Sequence, residues 1–188
     1  MTIDLANTPI LETDRLILRA PKGADWPLWS NFAQSQRAQY IGGPFTPRTA
    51  WRAFGHVIGH WAMRGYGLFV FTLKDSDTPL GTVGPWHPAD WPETELGWTV
   101  WSTAHEGKSL VYEAALATRD FAYSTLGWTT AVSYIDAPNT RSIALAERLG
   151  ATLDATATVP AVDNAKEVLV YRHPAPEIDS DGGIEAYA

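Results

Sequence analysis

The chain has 188 residues, enough for one domain with a sizeable core; 45% are hydrophobic, none is cysteine, and the formal charge is −7 at neutral pH. Without cysteine there is no disulfide, thiolate metal site or cysteine nucleophile, and the acidic balance disfavours a nucleic-acid partner, which needs basic patches. No apolar run approaches the ~18 residues that span a bilayer, and the opening MTIDLANTPILETDR lacks a basic stretch followed by an apolar one, so a cytoplasmic protein with no membrane partner is expected.

RLILRA (15–20) reads as a first strand, and PKGADWPLWSNFAQSQRAQ (21–39) as a turn and helix with Asp25 as N-cap. A loop with two glycines and two prolines, YIGGPFTP (40–47), leads to a second helix, TPRTAWRAFGHVIGHWAMRG (46–65). His56 and His60 share a face of that helix, a spacing that can bind zinc. The catalytic version places Glu directly after the first His, where Val57 stands, and no third ligand follows, so no metal is expected. YGLFVFTLKD (66–75) and PLGTVGPWHP (79–88) read as a hairpin around the turn KDSDT.

ELGWTVW (95–101) is a further strand, rich in β-branched and aromatic residues. The polar loop STAHEGKS follows, then a long helix from about Lys108 with a stripe of Leu110, Ala114, Ala117 and Phe121 and a left-handed cap at Gly127. A strand feeding a loop that opens a helix gathers free N–H groups at the positive end of the helix dipole, which suits a phosphate. Taken bare, such a unit is more often a structural crossover. TTAVSYID (129–136) is the next strand, and APNTRSIALAERLGA (137–151) a short helix with Asn139 as N-cap and Gly150 as C-cap. Its stripe is Ser142, Leu145, Ala146 and Leu149; the bland reading of Ser142 is a hydroxyl bonded back to the preceding turn. One or two strands close the sheet, the clearer at Glu167–Arg172. The order implies an α/β domain (residues 1–174) with a mixed sheet of about six to seven strands flanked by about four helices. The acidic tail 175–188 is expected to be flexible.

EGKSLVYEA followed by PNTRSIALAERLGA resembles the two cofactor motifs of the GNAT N-acyltransferase superfamily, most closely the branch that acetylates the N-termini of ribosomal proteins. LETDRLILRAPKGADW is similar to the opening of that branch, so the likeness runs from about Leu11 to His173. Gly107, Glu113, Asn139, Ser142, Leu149 and Gly150 match the pattern; Glu106, Ser109 and Val111 depart from the Gln/Arg, Gly and Gly/Ala of the family loop. The resemblance implies a sheet parted after the central strand, with acetyl-CoA as cosubstrate lying in the gap. Its contacts would come from Thr99, Val100, Trp101, Gly107, Lys108, Ser109, Leu110, Val111, Asn139 and Ser142. It also implies an acceptor groove beside the segment joining the first two helices, for which Tyr40, Phe45 and Trp51 are candidates when they are not core.

Acetyl transfer to an amine, through a tetrahedral intermediate, needs an unprotonated nucleophile, a donor for the oxyanion and an acid for the thiolate. A backbone N–H near Thr99 to Trp101 is the expected oxyanion donor. Candidate bases are Glu95, then Glu93, with His87 beside them; a solvated carboxylate at a strand entrance is the competing reading of either acid. Ser142 is a candidate at the thiol end, and the thiolate acid has no candidate. The acceptor is expected to be a peptide N-terminus or a small amine, preferably cationic, and the protein a monomer or homodimer. A catalytically weak CoA-binding module and a structural interaction domain are the alternatives. Stabilisation by acetyl-CoA separates the last from the others, and thiol release separates enzyme from binder.

Overall fold

Alternation and helical period resolve into one mixed sheet of eight strands with helices on both faces. The computed structural model describes residues 5–161 and 167–175, so nearly all of the expected acidic tail lies outside the described residues. The strands are β1 (Leu11–Glu12), β2 (Leu16–Arg19), β3 (Phe69–Leu73), β4 (Gly81–Trp86), β5 (Glu95–Val100), β6 (Val132–Asp136), β7 (Thr152–Leu153) and β8 (Val168–Arg172). The helices are α1 (Trp26–Ala33), α2 (Pro47–Arg64), α3 (Leu110–Ser124) and α4 (Thr140–Arg148), with short 3-10 turns at Gly23–Asp25, Gln36–Ile41 and Thr103–His105. The sheet order is β1-β2-β3-β4-β5-β6-β8-β7, antiparallel throughout except where β5 meets β6.

The sheet exceeds the expected six to seven strands because β1 and β7 have two residues each, too short to show any alternation. Asp25 stands at the N-cap of α1 but its carboxylate makes no cap bond. Arg19 grips it through Nη1 and Nη2 at 2.9 and 2.8 Å, and the Lys22 amide donates to it at 2.9 Å. The expected cap of α4 is present: Asn139 Oδ1 accepts from the Ser142 amide at 3.3 Å.

One core lies between the sheet and α3, built on Leu16, Leu18, Phe69, Phe71, Val83, Leu110 and Phe121; the other lies between the opposite face and α1 and α2, on Trp29, Phe32, Phe54, Val70 and Trp101. The buried face of α3 runs Leu110, Ala114, Thr118 and Phe121, flanked by Ala115 and Ala122, while Ala117 of the expected stripe is only half-buried. Thr118 is admitted because its hydroxyl donates to the carbonyls of Ala114 and Ala115, at 3.1 and 3.2 Å.

Candidate active site

The sheet opens between β5 and β6. Their only paired positions are Glu95 and Val132, where the Val132 amide donates to the Thr94 carbonyl at 3.0 Å. A regular parallel ladder would continue with the Tyr134 amide on the Leu96 carbonyl. Instead the Ser133 hydroxyl takes that carbonyl at 2.6 Å, and the Tyr134 amide bonds to the Glu95 carboxylate. Two side chains thus cap the groups freed where the strands part, and beyond them β5 and β6 no longer pair with each other.

Glu95 sits at the apex of this V. Trp91 Nε1 donates to its Oε2 at 2.5 Å, and burial pushes the carboxyl up to about 7 against the pull of its two hydrogen bonds. Gly97, two residues on and facing the same way, leaves it uncovered: a methyl group there would lie 3.5 Å from Oε1. The Tyr134 hydroxyl is buried nearby; burial and the neighbouring carboxylates push it up to about 12, so it keeps its proton. Glu93 is placed differently. Arg172 holds both its oxygens, at 2.8 and 3.0 Å, while also binding Asp154 at 2.8 Å. The His87 ring nitrogen Nε2 lies 3.2 Å from the Trp91 carbonyl, and the His87 amide donates to His60 Nε2 at 3.0 Å.

Successive amides of a strand point to opposite edges. The Trp101 amide bonds to the Leu80 carbonyl beside β4, so of the expected oxyanion donors Thr99 and Trp101 face β4, while Val100, with Trp98 before it, faces the gap. The side chains of Thr99 and Trp101 are turned inward: Trp101 Nε1 donates to Thr99 Oγ1 at 3.1 Å, and that oxygen lies 2.7 Å from Thr82 Oγ1. Across the gap, Ser142 Oγ accepts from Trp98 Nε1 at 3.2 Å, joining α4 to β5 instead of bonding to its own turn.

The loop after β5 is shaped by two left-handed residues, Gly107 (φ +70°) and Ser109 (φ +58°). Among the described residues, the backbone amides from Gly107 to Tyr112, including those of Lys108, Leu110 and Val111, meet no acceptor; the first bond of α3 is from the Glu113 amide to the Ser109 carbonyl, 3.1 Å. Glu113 anchors this end, accepting from Thr13 Oγ1 at 2.5 Å, the Arg15 amide at 2.9 Å and Arg15 Nε at 2.6 Å. Glu106 does not lie free against the amides: Arg37 Nη2 donates to one oxygen at 2.5 Å and Arg141 Nη1 to the other at 2.8 Å. Arg148 donates to Ser109 Oγ at 2.9 Å and stacks 4.0 Å above the Tyr112 ring. Sequence reasoning missed Arg37, Arg141, Arg148 and Tyr134, whose partners all lie far away in the chain.

Of the groove candidates, Tyr40 reaches across the open end to the Pro138 carbonyl at 3.3 Å, Phe45 packs on the α1–α2 core, and Trp51 is 62% exposed against Trp26. His60 is fixed as a neutral ring, accepting from the His87 amide at Nε2 (3.0 Å) with Nδ1 2.8 Å from the Tyr66 carbonyl; burial lowers its pKa. Among the described residues no three His, Cys, Asp or Glu side chains gather as metal ligands, and no helix is long and apolar enough to cross a membrane.

Residues 15–152 match the family described as the acetyltransferase (GNAT) domain. An acetyltransferase from Agrobacterium tumefaciens is 37% identical over 92% of this chain and 98% of its own, with a TM-score of 0.82. A GNAT-family acetyltransferase from Bacillus anthracis (18% identity, 87% and 97% covered, TM-score 0.70) and the ribosomal-protein-S5-alanine acetyltransferase of Vibrio fischeri (16%, 92% and 98%, TM-score 0.63) share the fold. Matched in sequence across its sheet and both site helices, and in fold over most of its length, the chain belongs to the GNAT acetyltransferase family.

Proposed function

We propose that the protein moves an acetyl group from acetyl-CoA to a primary amine, either a peptide N-terminus or a small molecule. The observation that carries this reading is the parting of the sheet beyond Glu95 and Val132, the one position at which β5 and β6 pair, with the carboxyl of Glu95, raised by desolvation, at its apex. A group titrating near 7 is half-ionised at working pH, where it can both accept and release a proton. Acetyl-CoA would bring an activated thioester carbonyl. The amides of Gly107 to Tyr112 and the basic side chains around them fit its diphosphate, and the open edge of β5 fits its pantetheine arm.

Glu95 then takes the proton that the amine loses as the new C–N bond forms and the C–S bond breaks. The Val100 amide, or that of Trp98, faces the place where the carbonyl oxygen gathers charge. Ser142 accepts from Trp98 and so has its own proton left to offer the thiol end. The clamp of Arg172 on Glu93 assigns that acid to holding the start of β5. An acidic chain suits a cationic acceptor, whose encounter would weaken with salt.

Thiol release from acetyl-CoA against a panel of amines and N-terminal peptides tests the reaction. With a productive acceptor, kcat/KM of the wild type rises with pH and levels off above about 7, as Glu95 ionises. Glu95→Gln lowers the plateau by about 10²-fold or more and abolishes that limb. Retention of both the rate and the limb would remove Glu95 from the role.

A further inference from the structure

The carboxylate of Glu106 stands in a basic surround. Arg37 and Arg141 bind it, Arg148 binds the hydroxyl of Ser109, and Arg15 donates to the carbonyl of Lys108 in the same loop at 3.1 Å. Apart from Glu106, the acid touching this group is Glu113, already held by Arg15 and Thr13. In a chain of net charge −7 this is a local excess of positive charge. We propose that Arg37 and Arg141 are a binding site for a phosphoryl group of the acyl donor, and that Glu106 fills that site in the free protein and gives it up when the donor binds. The inference rests on the acetyl-CoA reading above and adds to it two ligating residues and an internal competitor.

Three features support the exchange. Each arginine meets Glu106 through a single Nη, although guanidinium and carboxylate favour two parallel bonds, and Arg37 Nε is buried with no partner at all. A phosphoryl group, with more oxygens and more charge, answers this set of donors better than one carboxylate. The same Nη2 of Arg37 also donates to the Val100 carbonyl at 2.8 Å, so it stands on the edge of β5 that a ligand in the gap must use. Finally, the three residues come from three separate elements: the 3-10 turn after α1, the loop after β5, and the start of α4. They bridge the mouth of the V where no strand pairing remains, so partners can change there without breaking the sheet. With its side chain 78% exposed, Arg141 holds its half of the bridge through a solvent-screened, weak contact, while the Arg37 half is more covered.

The test is calorimetric titration of the full chain with CoA and with pantetheine, which lacks every phosphate, for wild type, Glu106→Gln and Arg141→Met. Glu106→Gln is expected to bind CoA about five-fold or more tighter, and Arg141→Met about five-fold or more weaker, because one loses the competitor and the other a ligand. Pantetheine is expected to be indifferent to both. A bridge that only supports the fold would shift CoA affinity in the same direction for both variants, or for neither, and either result overturns the inference. Thermal unfolding of each variant confirms that it is folded, and the exposed position of Arg141 keeps that arm readable should Glu106→Gln unfold. CoA binding to none of three folded proteins would instead defeat the acetyl-CoA reading itself.

Discussion

Two titratable side chains, His173 buried and Glu95 half-buried, flank the parting strands and pull stability in opposite directions with pH. His173 is 3% exposed, its Nε2 lies 3.0 Å from Ser133 Oγ, and burial pushes it down to about 4. Because Ser133 donates its proton to the Leu96 carbonyl, it accepts from Nε2, leaving Nδ1 buried and unpartnered. Between about 6.5 and 4 the unfolded chain binds a proton that the native state refuses. The contribution of His173 is therefore full above 6.5 and is lost as pH falls through about 4. Glu95 behaves in the reverse sense: with its native carboxyl near 7 and an ordinary value of 4.5, its contribution is full below 4.5 and is lost as pH rises through 7. Melting temperatures measured from pH 4 to 8 should show this as difference curves of opposite slope. His173→Gln gains on the wild type toward acid, and Glu95→Gln gains toward alkali. A flat difference curve for either variant would contradict the assigned burial.

The loop between β5 and α3 is the element to which the proposed function assigns the diphosphate, and its backbone sets a condition on sequence. Ser109, at the N-cap of α3, has φ +58° and ψ +14°, in the region where a Cβ crowds the following carbonyl at a cost of about 1–2 kcal/mol. This explains why the family pattern has glycine where this chain has serine, a short polar residue that also receives Arg148. Ser109→Val should lower stability by about 2 kcal/mol, since a β-branched residue tolerates that region worst. Ser109→Gly should be close to neutral, losing the Arg148 contact while relieving the backbone. Equal melting temperatures for all three would show that the loop relaxes out of the left-handed conformation.

The same element marks how far the sequence was readable. Strand β5, the loop, α3 and the Asn139 cap were legible because each has a local cause: β-branched alternation, a glycine, a 3.6-residue stripe, a capping amide. Glu95 was legible as a carboxylate at a strand entrance. What was not legible depends on residues far apart in the chain. Glu106 read only as a departure from the Gln or Arg of the family loop, because its partners lie 69 and 35 positions away. Glu93 ranked behind Glu95 in the sequence, but its partner Arg172, 79 positions on, could not be read there. The Thr99 and Trp101 amides looked available because alternation fixes which amides share an edge but not which edge is paired; the Leu80 contact decides that.

At the scale of the molecule, helices on both faces leave the sheet little freedom except at its one parallel junction. There the short reach of Ser133 and Glu95 replaces the ladder and leaves two strand edges open. The central claim is that this opening, with the amides of Gly107 to Tyr112 at its mouth, holds acetyl-CoA. The most direct measurement is backbone amide NMR of the 15N-labelled chain during titration with CoA. The account predicts that the largest shifts fall on Gly107 to Tyr112 and on Trp98 and Val100, saturating together with one affinity. Saturable shifts centred elsewhere, with those amides unmoved, would contradict it.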